Sequence, residues 1–413
     1  MTDGIKMWEQ PQVDNTSLIP FGAYHHFLMQ GSTSWLANNW DMIKDAAYIC
    51  SQDSGHADMY YDENTNQMFS WNLWEDQKGE FLYSNATVEA GLRAGATIGY
   101  RLGHNSDAAI FVARSTTIHS GTLARVDYFL ANYNNPPTVD LQTDGSMLYL
   151  ALLDPFSVLA ATESRMTGVE TAVYSYCNMA STGAADTKDL VRRYNGPISY
   201  DSYFNGGPWV ACTLFHSQYW AEKGSVESSS GAASMNIMKD YKLDRVKSFL
   251  GNVGLSAEQI VVAASPDANN FYLEAAWPNT WESMSSIADT FLEFIEPLYT
   301  SVNSSLVVEP QLPNSSWSTV GSTLALESGK FWVQLDHTAL GSNQIKSTMQ
   351  NSSTGKTINY ETYLKLPDTK SVSTVTINGS STSNWSSDAN TRRVKVWNSV
   401  SNGNRDSVVV NLQ

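Results

Sequence analysis

The chain has 413 residues, more than one ordinary hydrophobic core accommodates, so two domains are expected. A formal charge of −16, from 41 acidic against 25 basic residues, argues against a nucleic-acid partner and gives an anionic membrane surface nothing to hold. No apolar run is long enough to span a bilayer, and the opening MTDGIKMWEQ lacks the basic and apolar blocks of a signal peptide.

In chain order, apolar residues return every three or four positions up to about residue 300, which predicts a helical domain over 1–300. Segments 16–30, 35–52, 84–102, 106–133, 145–153, 155–180, 207–223, 232–253 and 281–299 read as helices, about nine in all. Tyr60 to Trp71 alternates around an Asn-Thr-Asn turn and predicts a short hairpin. Long aromatic loops at 60–76 and 192–209 are where a site on such a scaffold is expected. The 13 Trp and 20 Tyr offer flat faces with a polar edge, which suit stacking against neutral sugar rings as well as ordinary core.

Aspartates of DSGHADMYYDEN (53–64) have the alternating oxygens of a structural calcium loop, although a solvated acidic loop is the favoured reading. Otherwise no cofactor is expected: the seven histidines show no paired spacing for a catalytic metal, and Cys50, Cys177 and Cys212 are too scattered for a zinc cluster or a disulfide framework.

After Pro297 the composition turns to Ser, Thr, Asn and Val. The pieces 329–336, 372–379, 393–398 and 406–413 alternate and carry Asn-Gly turns, predicting a small antiparallel β-sandwich over 301–413. Its Trp317, Trp332, Trp385 and Trp397 are core residues or, alternatively, a glycan-binding face. Glycosylation sequons at Asn15, Asn85, Asn303, Asn314, Asn351, Asn378 and Asn384 point to an extracellular or cell-surface location.

Hydrolysing a glycoside without a metal requires one carboxylic acid to protonate the leaving oxygen and one carboxylate to activate water. Glu75 meets the first need in residue type, because it lies beside Trp71 and Trp74, and apolar neighbours raise a carboxyl pKa. Four blocks in order, WEQPQVD (8–14), NLWEDQKGEFLYSNATVEAGLRAGA (72–96), RRYNGPISYDSYFNGGPWVACTLFHSQYW (192–220) and LSAEQI (255–260), resemble the glucoamylase family, glycoside hydrolase family 15.

That resemblance spans residue 8 to about 300 and implies a mainly α fold, an (α/α)6 toroid, incomplete in this chain, ahead of the sandwich. It implies an inverting, exo-acting hydrolase that releases glucose from α-glucans or related α-glucosides. Glu75, after Trp74, matches the general acid, with Asn72 in place of the usual aspartate; Glu258, before Gln259, matches the general base, with Glu274 as its rival. Trp8, Gln12, Asp14, Trp74, Arg193, Asp201 and Trp281 match substrate-binding positions, and Arg192 is the alternative to Arg193. Because WEQPQVD corresponds to the family's fourth helix, the opening third of the domain, with its arginine-aspartate pair, has no counterpart here. A second chain or a further segment is therefore expected to complete the ring, whose apolar face would otherwise be bare. A non-catalytic scaffold or glycan-binding subunit is the alternative reading.

Overall fold

The computed structural model describes residues 10–51, 56–178, 190–194 and 207–226, the strand segments 259–262, 271–275, 297–300, 305–308, 322–326 and 331–336, and 343–413 apart from 352–354, 367–369 and 390–392. Contacts divide the chain into two units: one is formed by 1–27, 32–178 and 191–206, the other mainly by 207–413. The second unit takes in the stretch before residue 300 that the sequence groups with the helices, as well as the β-region.

The first unit opens with α1 (Val13–Gln30), α2 (Thr33–Asn38) and α3 (Trp40–Ile49). The predicted single helix over 35–52 is thus two, because Asn39 leaves helical geometry at φ −109°, ψ 8° and turns its amide back onto the Trp35 carbonyl. Ser32 starts α2 by accepting the Trp35 N–H. The expected hairpin forms: β1 (Tyr60–Asp62) pairs antiparallel with β2 (Gln67–Trp71), with Tyr60 opposite Phe69, and β2 then pairs with β3 (Lys78–Gly79).

Helix α4 (Leu82–Leu102) lies at the centre of this unit and is buried over most of its circumference, ending at Gly103 in a left-handed cap. Gly91, Gly95 and Gly99, four residues apart, let neighbours come close. A Cβ on Gly91 would stand 2.3 Å from the Ser17 carbonyl oxygen of α1, and one on Gly99 3.1 Å from Ala108 on the next helix, α5 (Asn105–Asn132).

Two further expectations are corrected. Residues 145–153 form a tight 3-10 helix, Gly145–Ala151, and the predicted helix over 155–180 is reduced to α6 (Ser164–Cys177). Residues before Ser164 are irregular because Pro155 and the serines and acids around it favour turns over helix.

The second unit contains α7 (Val210–Val226) and a hairpin of β4 (Gln259–Val262) with β5 (Phe271–Ala275). It continues with β6 (Pro297–Thr300), β7 (Ser305–Val308), β8 (Ser322–Leu326), β9 (Phe331–Asp336), β10 (Gln344–Asn351), β11 (Ile358–Lys365), β12 (Val372–Ile377), β13 (Ser380–Ser381), β14 (Trp385–Asp388), β15 (Arg393–Val400) and β16 (Arg405–Leu412). The end of the predicted helix 281–299 is therefore strand, while 232–253 and most of 281–299 lie outside the described residues. The described residues hold seven α-helices and two 3-10 helices.

One sheet has the order β13-β12-β16-β10-β9-β8, the other β14-β15-β11-β7-β6. The sandwich is not wholly antiparallel: β11 runs parallel to β7, with Tyr360 beside Leu306. That pairing is open to them because the chain visits the other sheet in between, a crossover long enough to return in the same direction. Alternate residues such as Ile345, Met349, Tyr360, Leu364, Val394, Val396, Val408 and Val410 fill the core, with Trp385 packed at its margin. The expected Asn-Gly turn is present at Asn378 and Gly379, both with positive φ (54° and 80°). Buried Asp406 is saturated there by Tyr360, Asn378 and Asn398. Trp397 is exposed; Trp317 and the side chain of Trp332 lie outside the described residues.

Candidate active site

Glu75 occupies the tip of the loop Asn72–Gln77 that joins β2 to β3. It is half-buried and has φ +60°, a left-handed conformation that is costly for a side chain with a Cβ. Strain of this kind persists only where the surroundings enforce it.

Asn72 does much of the enforcing. Its N–H donates to the Gln77 carbonyl at 2.9 Å, its carbonyl accepts the Glu75 N–H at 3.0 Å, and its side-chain oxygen accepts the Asp76 N–H at 3.2 Å. Its amide donates to Asp76 Oδ1 at 3.1 Å and to the Tyr194 hydroxyl at 2.6 Å, and Tyr194 donates in turn to Asp76 Oδ1. Arg193 Nη2 lies 3.2 Å from Asp76 Oδ2. Asn72 must donate at this point, because a carboxylate, Asp76, faces it.

The segment before α1 is fastened to the same loop. Gln12 donates through Nε2 to the Asn72 carbonyl, and the Trp71 N–H donates to the Pro11 carbonyl at 3.1 Å. Asp14 follows in the first turn of α1, only 1 % exposed, and neither of its oxygens makes a hydrogen bond. Burial pushes its carboxyl up to about 7; the N–H groups of Asp14 and Asn15 oppose this from the helix start without reaching hydrogen-bond geometry, and Glu75 adds to it by charge repulsion. Asp14 and Glu75 are therefore electrostatic neighbours.

A second buried acid, Asp144, accepts the indole Nε1–H of Trp74 at 2.8 Å. Burial raises its carboxyl to about 6 against the bonds from Ser146 and Trp74, with Asp76 raising it further. The phenol of Tyr83 is driven well above its ordinary value by burial, then by Asp14, Tyr149 and Asp144, which places it in the field of both buried acids.

Of the residues singled out by sequence, Gln12, Asp14, Trp74, Glu75 and Arg193 come together around this loop. Arg192 does not: its Nη2 donates to the Tyr176 carbonyl at 2.8 Å. Trp8, Asp201, Glu258 and Trp281 lie outside the described residues. Gln259, which follows Glu258, begins β4 and pairs with Ala275, which follows the rival Glu274. Sequence reading missed Asp76, Tyr194 and Asp144. Only Asp144 left a local trace, as the acid of TDGSM that accepts the Ser146 N–H at the start of a helix.

In the proposed calcium loop, Asp58 is paired with Lys78 Nζ at 2.7 Å and Asp62 accepts the Asn64 N–H at 2.8 Å, while Asp53 lies outside the described residues. Among the described residues no three metal-ligating side chains gather, and no helix is long and apolar enough to cross a membrane.

No protein-family model and no curated protein matches this chain. Solved structures do. The glucoamylase of Hormoconis resinae superposes with a TM-score of 0.51 at 14% identity, covering 71% of this chain and 55% of that one. The family 15 glucoamylase of Hypocrea jecorina gives 0.50 at 14% identity over 98% of this chain and 74% of that one. The α-L-rhamnosidase of Dictyoglumus thermophilum gives 0.52 at 11% identity over 96% and 39%. The chain spans about half the length of the Hormoconis enzyme. At these identities the likeness is one of fold: a helical domain and a β-sheet domain of the glucoamylase-like kind.

Proposed function

We propose that the protein is an inverting glycoside hydrolase built on an (α/α)6 toroid, removing glucose from the non-reducing ends of α-glucans or related α-glucosides. The observation that carries this reading is Glu75 itself, held at positive φ by a polar network in which the exposed Asp76 meets the buried Asn72, Tyr194 and Arg193. A solvated loop glutamate would relax to an ordinary conformation; one that must present its carboxyl at a fixed point is worth the strain.

In this mechanism Glu75 protonates the departing glycosidic oxygen. Asp14 lies within reach of the Glu75 charge, which adds to the burial that holds the Asp14 carboxyl up. Glu258, a role that rests on the sequence resemblance, removes a proton from water on the opposite face of the sugar. Inversion needs the two carboxyls about 6.5–9.5 Å apart to admit that water. In this reading Arg193 binds sugar hydroxyls, a role that rests on the sequence resemblance, and Gln12, Asp14, Trp8, Trp74, Asp201 and Trp281 complete the proposed subsite.

We also propose an extracellular or cell-surface location on the strength of the sequons. At Asn15, Asn85, Asn351 and Asn378 the amide is already bonded within the fold, so glycans belong on the remaining sites.

The test is incubation with maltose, isomaltose, trehalose and dextrin, following the anomer of released glucose by NMR. β-Glucose from an α-linked substrate is the expected product. Release of α-glucose would overturn inversion, and no release from any of them would overturn the activity.

A further inference from the structure

Asp144 is a single buried carboxylate bearing on three parts of the candidate site. Its Oδ1 accepts the Ser146 N–H at 2.7 Å and so caps the 3-10 helix Gly145–Ala151. Its Oδ2 accepts the Trp74 indole N–H at 2.8 Å, across 70 residues of sequence. Its backbone bridges to Tyr194, and the next residue, Gly145, donates its N–H to the Arg193 carbonyl at 2.9 Å. The Tyr194 hydroxyl and the Arg193 guanidinium then both meet Asp76, the residue after Glu75.

We propose that Asp144 is a positioning residue for the proton donor: through the Trp74 indole it fixes the loop tip that carries Glu75, and through the bridge at Tyr194 it holds Arg193 in register with that tip. This inference rests on the reading of Glu75 as the proton donor. The chemistry requires a carboxylate at this place. Two donors arrive from different directions, one at each oxygen, and no neutral side chain of the same size accepts with both of its terminal atoms.

That requirement supplies a selective variant. Asparagine caps a helix as well as aspartate does, so in Asp144→Asn the remaining oxygen stays on Ser146. The amide nitrogen then faces the indole N–H, donor against donor, and the bond to Trp74 is broken while the cap survives. Trp74→Phe breaks the same bond from the other side and keeps an aromatic ring in place.

The experiment compares the wild-type protein, Asp144→Asn, Trp74→Phe and the double variant in two readouts. One is the indole N–H resonance of Trp74 in protein labelled with 15N-tryptophan, assigned by its disappearance in Trp74→Phe. The other is steady-state hydrolysis of the glycoside that the wild-type protein turns over. In Asp144→Asn the Trp74 resonance should move upfield, and kcat should fall roughly 10- to 100-fold with KM within about threefold, as expected for a misplaced catalytic group. Trp74→Phe should show a kcat loss of the same order, and adding Asp144→Asn to it should cost nothing more. An unmoved resonance, wild-type kcat in either single variant, or losses that multiply in the double variant overturns the positioning role in an active enzyme. A wild-type protein inactive on every glycoside sinks the proton-donor reading instead, and the positioning role with it; the resonance then still reports on the Asp144–Trp74 bond by itself.

Discussion

The Arg193 guanidinium meets Oδ2 of Asp76 at 3.2 Å, while Oδ1 of the same carboxylate takes the Asn72 amide and the Tyr194 hydroxyl. One acid next to Glu75 thereby ties the loop to the segment 191–194. Asn72→Asp should put two carboxylates in contact and cost on the order of 2–3 kcal/mol of stability. Activity should fall at least about tenfold, with part of it returning as one acid is protonated at lower pH. Adding Asp76→Asn should restore stability, since an amide and a carboxylate again face each other. Urea midpoints of the three variants read this directly, and a double variant no more stable than Asn72→Asp would contradict it.

The positive φ of Glu75 makes a separate prediction about stability. Glycine adopts this conformation without penalty, so Glu75→Gly should be more stable than Glu75→Gln by about 0.5–1 kcal/mol, although both lose turnover. A glycine variant less stable than the glutamine variant would mean that the backbone is not strained at this point.

Asp14 should make stability depend on pH. Its carboxyl sits near 7 in the folded protein against an ordinary 3.8, so the folded state holds the proton more tightly than the unfolded chain. The associated stabilisation is complete below about pH 4 and is lost as pH rises through 7, on the order of 2–4 kcal/mol in all. Asp14→Asn, which has nothing to ionise, should flatten that part of the curve. Chemical denaturation from pH 4 to 8 is the measurement, and parallel curves for the two proteins would count against the assignment.

Packing of α1 against α4 depends on Gly91. A methyl group there would stand 2.3 Å from a backbone oxygen, which cannot swing aside as a side-chain end can. Gly91→Ala should therefore destabilise the protein by about 3 kcal/mol despite alanine's better helix propensity. A melting temperature at or above that of the wild type would show that the helices separate more easily than this.

The sequence was most informative where local rules act alone. The predicted helices 84–102 and 106–133 fall within two residues of α4 and α5, and the hairpin around Asn-Thr-Asn and the Asn378-Gly379 turn are present. Prediction failed where a polar side chain breaks a continuous pattern, as Asn39 does between α2 and α3, and where turn-forming residues interrupt an apolar run, as before α6. The candidate site was half legible. Glu75, Trp74, Gln12, Asp14 and Arg193 were marked by motif resemblance, which records residue type. Asp76, Tyr194 and Asp144 act through contacts between segments 70 to 122 residues apart, and periodicity carries no signal at that range.

The central claim is that Glu75 delivers a proton to a leaving glycosidic oxygen, and Glu75→Gln assayed on two substrates tests it most directly. An α-linked disaccharide needs that proton, whereas α-glucosyl fluoride expels an anion that leaves without one. The variant should lose hydrolysis of the disaccharide by roughly a thousandfold or more and keep that of the fluoride within about tenfold of wild type. Unchanged hydrolysis of the disaccharide, or an equal loss on both substrates, would contradict the account.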